Sequence, residues 1–359
     1  MNKRIYLDLH VIQSMPPNCL NRDDTGSPKT AIYGGVRRAR VSSQAWKHAM
    51  RLMFHDHFDE AELGLRTKSL FGLIADEIVG QRPSITREKA MEMAAKALDK
   101  VKVKQKKGDE SKVDALFFIG TQQARNVAAL ALGDIDGKSA DAKEIEETLK
   151  GAMAVDIALF GRMVAANPLL NSDACAQVAH AISTHRVENE YDYFTAVDDL
   201  SSEDNAGAAH LDTVEYNSAT LYRYATVAAH CLSGLLAGDS VAVEKAVREF
   251  TRAFVCSMPT GKQNTFAANT MPDAVLATIR LDRPLNLVGA FEAPVRAVGY
   301  VHASARKLEE YAKSVYDDFC AEPEKSYVTG RYLKSLGEPV SLELLLEAVG
   351  KDVAEAVRQ

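Results

Sequence analysis

The feature that most constrains the fold of this chain is a long helical stretch, residues 59–171, that separates segments with strand character. Upstream, apolar and polar residues alternate from Ile5 to Val11, which is the period-2 pattern of a half-buried strand. Downstream, residues 216–229 and 274–281 have strand character as well. Because the flanking segments need one another to form a sheet, the sequence predicts an α+β fold with an inserted helical unit.

Helices are predicted where an N-cap residue precedes apolar side chains at helical spacing. Ser42 and Ser43 can cap one such helix, Thr86 a second and Ser240 a third. The predicted helices span 43–53, 87–103, 121–132, 141–153, 172–185, 240–257, 304–321 and 341–357. Residues 186–216 lack a helical period and are predicted to form a long excursion such as a hairpin.

Length and composition are those of a globular protein. With 359 residues, 47% of them hydrophobic, the chain can form two domains without a metal or disulfide. No run approaches the roughly 20 apolar residues of a membrane span, and no signal-peptide core follows the first residues. We therefore expect a cytoplasmic protein that binds no membrane. The five cysteines fit reduced thiols and not a zinc site.

The charge of the chain is polarised along its length. The formal net charge is −6, yet residues 1–54 carry nine Lys or Arg and three acids. Residues 187–216 hold nine acids and no Lys or Arg. This asymmetry favours one anion-binding face, whereas the alternative is a charged, solvated surface without function. The acidic stretch also contains Tyr193 and Phe194, whose rings can stack on nucleic-acid bases or be buried in an ordinary core.

Residues 31–51 are the most informative segment. Gly34 and Gly35 let the backbone approach a ligand closely, and the predicted helix start offers free N–H groups and serine hydroxyls. Lys47 and Arg51 are four residues apart and so share one helix face. The segment also has three arginines whose paired donors match phosphate oxygens, Arg37, Arg38 and Arg40. It predicts a phosphate-binding surface, and the alternative is a basic surface strand beside an ordinary capped helix.

The other candidate sites are weaker. Lys262 lies in a turn that can face a phosphate, but this turn is not a P-loop because the magnesium-binding Ser or Thr after the lysine is absent. His55 and His57 point to different sides of a helix, which argues against a metal site. Asp198 and Asp199 lack further carboxylates or a catalytic base beside them. We therefore expect no active site, no metal and no cofactor.

Several long blocks of the sequence resemble the CasC family, the repeated backbone subunit of the type I-E CRISPR surveillance complex Cascade. The blocks are 19–24, 34–44, 155–163, 179–185 and 192–200. Blocks of this length in a fixed order are far more specific than any single motif in the chain. The resemblance covers about 1–54 and 152–300.

The resemblance implies a hand-like subunit. Its palm, a modified RRM-like (ferredoxin-like) sheet, would comprise 1–58 and 172–303, and a helical fingers domain would occupy 59–171. A β-hairpin thumb would span 186–222, and C-terminal helices would span 304–359. Copies would stack head to tail along a CRISPR RNA, and each thumb would displace one nucleotide of the guide–target duplex. The implied partners are CRISPR RNA, the target DNA strand, further copies of the chain and other Cascade subunits.

The resemblance also implies roles for single residues. The RNA-binding residues expected from the sequence and the resemblance together are Arg22, Lys29, Gly34, Gly35, Arg37, Arg38, Arg40, Ser42, Gln44, Lys47, His48, Arg51 and Lys262. His48 stands where the family often has Arg. The wedge residues of the thumb are expected to be Met163, Tyr193, Phe194, Thr195, Val197 and Leu211. Tyr193 stands where the best-known relative has Trp, which leaves a smaller aromatic face.

The sequence therefore predicts a non-catalytic, CRISPR RNA-binding backbone subunit of an antiviral complex. Base pairing would read the sequence, so the protein would supply only shape, phosphate and stacking contacts. Two alternatives remain at this stage. One is a nuclease or RNA-processing enzyme that uses the His55/His57 or Asp198/Asp199 pair, and the other is an α+β interaction module that binds no nucleic acid.

Overall fold

The structure is a computed structural model that describes residues 4–196 and 210–358. The strands are β1 (Tyr6–Asn18), β2 (Thr30–Tyr33), β3 (Val36–Val41), β4 (Gly64–Thr67), β5 (Phe117–Gly120), β6 (Ala176–Val178), β7 (Ala181–Ser183), β8 (Glu190–Ala196), β9 (His210–Ala228), β10 (Ala274–Arg280), β11 (Lys325–Gly330) and β12 (Glu338–Pro339). The helices are α1 (Ser43–Phe54), α2 (Leu70–Gln81), α3 (Arg87–Lys100), α4 (Thr121–Gly133), α5 (Ala142–Lys150), α6 (Val155–Phe160), α7 (Ala229–Leu235), α8 (Ser240–Cys256), α9 (Gln263–Phe266), α10 (Tyr300–Asp318) and α11 (Leu342–Arg358).

Ten of the described strands form one mixed sheet, which confirms the α+β prediction. Its order is β12-β11-β10-β1-β9-β7-β3-β2, with β6 and β8 also paired to β9. β1 lies in the middle and is antiparallel to both neighbours, so that Leu7 faces Val227 on β9 and Ile279 on β10. β4 and β5 form a separate two-stranded sheet, although the sequence indicated only helices between 59 and 171.

β1 is buried on both faces and not half-buried as predicted. Leu7 and Leu9 pack against α1, α8 and α11, while Ile12 faces the layer formed by α10 and the turn at 287–291. The polar residues that suggested an exposed face are buried and hydrogen-bonded. Tyr224 Oη donates to Asp8 Oδ1 at 2.9 Å, and His10 Nδ1 lies 2.9 Å from Tyr222 Oη. Because Asp8 and His10 have hydrogen-bond partners, α10 and the 287–291 turn can pack over this face of the sheet.

The predicted helix at 172–185 is wrong. This segment forms β6 and β7, and both pair with the long strand β9. Ala176 and Val178 are buried while Gln177 is exposed, which is the alternation of a strand. Each strand has three residues, so local sequence provides little signal and pairing with β9 decides the conformation.

The predicted helix caps are confirmed at two of three positions. Ser42 Oγ accepts from Ala45 N at 3.3 Å, and Thr86 Oγ1 accepts from Lys89 N at 3.4 Å. α8 is capped by Asp239 and not by Ser240, because Asp239 Oδ1 accepts from the N–H groups of two following residues.

The helical insertion has a core of its own, formed by apolar residues of α2, α3, α4 and α5. α6 lies within the range 59–171 but packs in the core beneath the large sheet, where Ile157 and Leu159 are fully buried. Val164 and Leu170, which follow α6, return to the core of the helical insertion. At the C-terminus, the expected helices α10 and α11 flank β11, which extends the large sheet beside β10. No helix in the described ranges is long and apolar enough to cross a bilayer.

Candidate nucleic-acid interface

Lys29, Arg40 and His180 form a cluster that we call the basic patch. Lys29 and Arg40 meet where Arg40 N donates to the Lys29 carbonyl oxygen at 2.9 Å. β7 brings His180 alongside, with its Nδ1 3.0 Å from Arg40 Nη1. Burial lowers the pKa of His180, and the charges of Arg40 and Lys29 lower it further. The neutral imidazole can therefore accept from Arg40. Arg40 Nε also donates to the Thr30 carbonyl oxygen at 3.2 Å, so its Nη2 donors and the Lys29 ammonium are the groups available to an anion.

Arg38 does not belong to this surface, which corrects the expectation that it binds RNA. Its side chain is fully buried. The guanidinium donates to the carbonyl oxygens of Tyr33, Ser183, Phe291 and Glu292, at 2.8 to 3.2 Å. A guanidinium whose donors are taken by backbone carbonyls holds loops together and is not free for phosphate.

Arg37 points to the opposite face of the sheet because neighbouring residues of a strand alternate. It is exposed and lines an open groove of about 790 Å³ between the β2–β3 hairpin and the root of the long β8–β9 hairpin. Arg186, Tyr191 and Ile32 line the same groove. The three arginines of β3 therefore lie in three different environments and do not form one continuous track.

Arg22 and Lys262 both lie near the buried thiol of Cys19, although they are far apart in sequence. Both charges act on the thiol of Cys19, whose pKa is raised by burial and lowered by these two cations. The loop that carries Lys262 packs tightly on residues 19–20, because a Cβ on Gly261 would lie 2.2 Å from the Leu20 carbonyl oxygen. The loop of Lys262 therefore lies beside the residues 19–20 that precede Arg22.

Gly34 and Gly35 form the turn between β2 and β3, with φ of +57° and +75°. Both values favour glycine. A Cβ on Gly34 would lie 1.6 Å from the Glu292 carbonyl oxygen, so this glycine permits close packing inside the protein. Gly35 has no atom within 4 Å of its Cβ position. Of the two, only Gly35 leaves open space for a ligand.

Helix α1 presents the remaining RNA-binding candidates. Gln44 and His48 are exposed and one turn apart. Ser42 is buried, and its hydroxyl accepts from the helix N-terminus. Lys47 and Arg51 share one face as predicted, but Arg51 is paired with the buried Asp156 at 3.0 Å. Arg51 is therefore less available to a phosphate than Lys47.

The long hairpin separates its aromatic residues onto two faces. Tyr193 is paired with Thr213 and is 64% exposed, whereas Phe194 is paired with Asp212 and is 40% exposed. Thr195 lies on the face of Tyr193, opposite Leu211 in the register. Val197 lies outside the described residues. The exposure of both rings disagrees with burial in a core.

Met163 is expected to act with the hairpin but lies elsewhere in the chain. It is 81% exposed and lines a groove of about 290 Å³ in the helical insertion, together with Leu116 and Phe117. The lining of this groove includes no hairpin residue. Among the described residues, Met163 and the hairpin therefore share no groove.

Of the candidate catalytic residues, His55 and His57 lie within the described ranges. Within the described ranges, no group of three or more His, Cys, Asp or Glu is placed to hold a metal. His57 Nδ1 lies 3.5 Å from Glu249 Oε2, and that carboxylate also bonds Arg248 and Arg252. Asp198 and Asp199 lie outside the described residues.

Three basic residues of these surfaces were not identified from the sequence: His180, Arg186 and Arg66. His180 becomes a neighbour of Arg40 only through the pairing of β7 with β3. Arg186 lies at the root of the hairpin, and Arg66 lies on β4 within a stretch predicted to be helical. Their roles depend on strand pairing, for which the local sequence gives little signal.

Comparison with known proteins agrees with this geometry. Residues 7–347 match the family described as CT1975-like protein. A chain of the solved structure "CRISPR RNA-guided surveillance complex, pre-nicking" is 32% identical, with a TM-score of 0.84 over 97% of this chain and 100% of that chain. A chain of another "CRISPR RNA-guided surveillance complex" is 28% identical, with a TM-score of 0.73 over 97% and 99%. No curated protein matches the sequence. The resemblance to CasC is thereby confirmed, and the chain belongs to the CT1975-like, CasC-type family.

Proposed function

We propose that the chain is a non-catalytic CRISPR RNA-binding subunit of an RNA-guided DNA-targeting complex of the type I-E Cascade kind, active in antiviral defence in the cytoplasm. The observation that carries the proposal is the similarity over 97% of the chain, at 32% identity, to a subunit of a CRISPR RNA-guided surveillance complex. The basic patch and the exposed aromatic hairpin supply the chemistry that such a subunit needs.

The RNA backbone would be held by cations that solvent can reach. Arg22 and Arg37 are exposed, and four further cations are half-buried: Lys29, Arg40, Lys47 and Lys262. Gln44 and His48, both exposed on α1, would assist them. Arg38, Ser42 and Gly34 would act indirectly. The side chains of Arg38 and Ser42 form hydrogen bonds within the protein, and Gly34 packs against the Glu292 carbonyl oxygen. Contacts to the backbone carry no sequence information, which suits a protein whose guide reads the target by base pairing.

The long hairpin would act as the thumb. Its exposed Tyr193 and Phe194 can stack on or displace bases of the guide–target duplex. Thr195 and Leu211, which pair across the hairpin, would assist them, as would Val197, which lies outside the described residues. Met163 of a neighbouring copy would complete the wedge. Copies stacked head to tail form a heterologous interface that does not close, and the length of the RNA would limit the filament. The partners would be CRISPR RNA, the target DNA strand, further copies and other subunits of the complex.

The basic patch provides the first test. Lys29→Ala with Arg40→Ala should weaken retention of CRISPR RNA and reduce the salt slope of binding by about 1.4, since each lost phosphate contact on a single strand accounts for about 0.7. The matched control is Arg306→Ala with Lys313→Ala, two exposed cations on α10. Affinity and slope equal to those of the wild type in the patch variant would refute the RNA-binding role.

The hairpin provides the second test. Phe194→Ala with Met163→Ala should leave RNA loading intact and lower the affinity of the assembled complex for the target DNA strand by about 1–3 kcal/mol per lost stacking contact. Phe319→Ala removes another exposed ring, 83% accessible at the end of α10, and serves as the control. Unchanged target affinity would remove the wedge role. Sustained metal-dependent cleavage of RNA or DNA by the purified protein would overturn the non-catalytic assignment.

A further inference from the structure

Asp156 is a buried carboxylate with both oxygens occupied. Arg51 Nε donates to Asp156 Oδ2 at 3.0 Å, and the Gly64 N–H donates to Oδ1 at 2.8 Å. Arg51 Nη2 also donates to the Gly64 carbonyl oxygen at 3.1 Å. The Asp156 side chain is 2% exposed. One carboxylate thus neutralises one guanidinium and joins the start of β4 to α1.

Two more cations lie here without a carboxylate. Arg66 Cζ is 4.6 Å from the centre of the Phe118 ring, and Arg51 Cζ is 4.7 Å from the same centre. Lys47 Nζ lies 5.8 Å from the centre of the Phe160 ring. In the part of the chain that the structure describes, neither Lys47 nor Arg66 makes an ion pair or a hydrogen bond through its side chain.

The two cations are close enough to affect one another. Burial lowers the pKa of Lys47, and the charge of Arg66 lowers it further. Desolvation and the charge of Arg51 lower the pKa of Arg66, and the charge of Asp156 offsets this only in part. Like charges held together and partly desolvated are unfavourable unless an anion joins them. Arg66 is nevertheless exposed, and stacking on a ring fixes the guanidinium plane while its N–H edge stays free for paired hydrogen bonds.

We propose that Lys47 and Arg66 together bind one phosphate of a nucleic-acid backbone, with Arg51 as a positioning residue held by Asp156. This inference rests on the proposed function and adds a ligand from β4, outside the basic segment 31–51. Because Lys47 belongs to α1 under the large sheet and Arg66 to the small sheet of the helical insertion, the bound phosphate would bridge the two parts of the molecule.

The test is a salt titration of CRISPR RNA binding by the full-length chain. Arg66→Ala should weaken binding about 3- to 30-fold at low salt and reduce the salt slope by up to about 0.7, the value for one phosphate on a single strand, because Lys47 alone neutralises that phosphate only in part. Arg66→Lys should keep most of the slope, because it keeps the charge but loses the paired donors. Lys47→Ala combined with Arg66→Ala should cost less than the sum of the two single changes, since both serve one phosphate.

The control is Arg125→Ala, which removes an exposed arginine from the same helical insertion. It should leave the slope unchanged. A purely structural role of Arg66 against Phe118 would lower the unfolding temperature of Arg66→Ala without moving the slope, and that result would overturn the site. A wild-type slope in Arg66→Ala, with a reduced slope in Lys47→Ala, would also overturn it while sparing the proposed function. Absence of RNA binding by the wild type would overturn both.

Discussion

Arg38 Nη2 donates to the Phe291 carbonyl oxygen at 2.8 Å, and this hydrogen bond joins β3 to the turn that precedes α10. The same guanidinium donates to Ser183 O at 3.0 Å and to Tyr33 O at 3.1 Å. Burial lowers the pKa of Arg38. The side chain thus stabilises the β2–β3 hairpin against the rest of the sheet, and its role in any RNA binding is indirect.

Replacing Arg38 should therefore affect folding first. Arg38→Met should lower the free energy of unfolding by at least about 3 kcal/mol, because several buried carbonyl oxygens lose their donors. Arg37→Met, an exposed neighbour, should change it by less than about 0.5 kcal/mol. Urea unfolding followed by circular dichroism measures both. Equal stability of the two variants would show that the carbonyls find other donors and that Arg38 is dispensable to the fold.

The two turn glycines should respond differently to the same change. Gly34→Ala combines a left-handed φ of +57° with a Cβ only 1.6 Å from the Glu292 carbonyl oxygen, so it should cost about 2–5 kcal/mol. Gly35→Ala has a φ of +75° but no neighbour within 4 Å, so it should cost only the backbone strain of about 1–2 kcal/mol. Thermal or urea unfolding compares them. A smaller loss for Gly34→Ala than for Gly35→Ala would contradict the packing described at Glu292.

Three arginines on one short strand show what the sequence could and could not predict. Strand alternation places Arg37 on one face and Arg38 and Arg40 on the other, and this follows from the sequence once the strand is recognised. Which of these side chains are buried by other elements does not follow from the sequence. Arg38 is buried because the 287–291 turn packs on it, and that turn lies about 250 residues away in sequence. The charge asymmetry thus indicated a basic segment but not which of its side chains are buried.

The same limit applies to the fold. Long segments with a strong period, such as α8 and the end of β9, were predictable because 3.6-residue or 2-residue spacing is repeated several times. β6 and β7 have three residues each and are stabilised by pairing with β9, so a helical interpretation of 172–185 was not opposed by local sequence. The position of the Lys262 loop against residues 19–20 likewise depends on tertiary packing at Gly261 and Leu20.

His180 reports the charge of the basic patch. Its pKa is lowered by burial and by Arg40 and Lys29, so removal of either cation should raise it. Arg40→Gln should raise it further through loss of the contact at 3.0 Å, where Arg40 donates to the neutral imidazole. Histidine-labelled NMR titrations of the wild type and of Arg40→Gln measure the shift, with Lys313→Gln on α10 as the control. An unchanged pKa in Arg40→Gln would mean that the two side chains do not interact in solution.

Asp8 and His10 are neighbours on the same buried face of β1. Their titrations should change the free energy of unfolding in opposite directions as the pH falls. Burial raises the pKa of Asp8 to about 6 from 3.8, so the folded state takes up a proton first and this group stabilises the fold as the pH falls through 6. Burial and the charge of Arg280 lower the pKa of His10 to about 3 from 6.5, so this group destabilises the fold as the pH falls below 6.5.

Between about pH 6 and pH 4 the two effects, each about 1.4 kcal/mol per pH unit, nearly cancel. Asp8→Asn removes the stabilising effect of the Asp8 carboxyl at low pH. The side-chain amide oxygen of the variant can still accept from the Leu285 N–H, which donates to Asp8 Oδ2 at 2.8 Å. The variant should therefore lose about 3 kcal/mol more stability than the wild type between about pH 7 and pH 4. Urea unfolding across this pH range measures the free energy of unfolding of both proteins. The contributions of all other titrating groups cancel when the two curves are subtracted. Parallel stability curves for the two proteins would show that the Asp8 carboxyl titrates alike in the folded and unfolded chain.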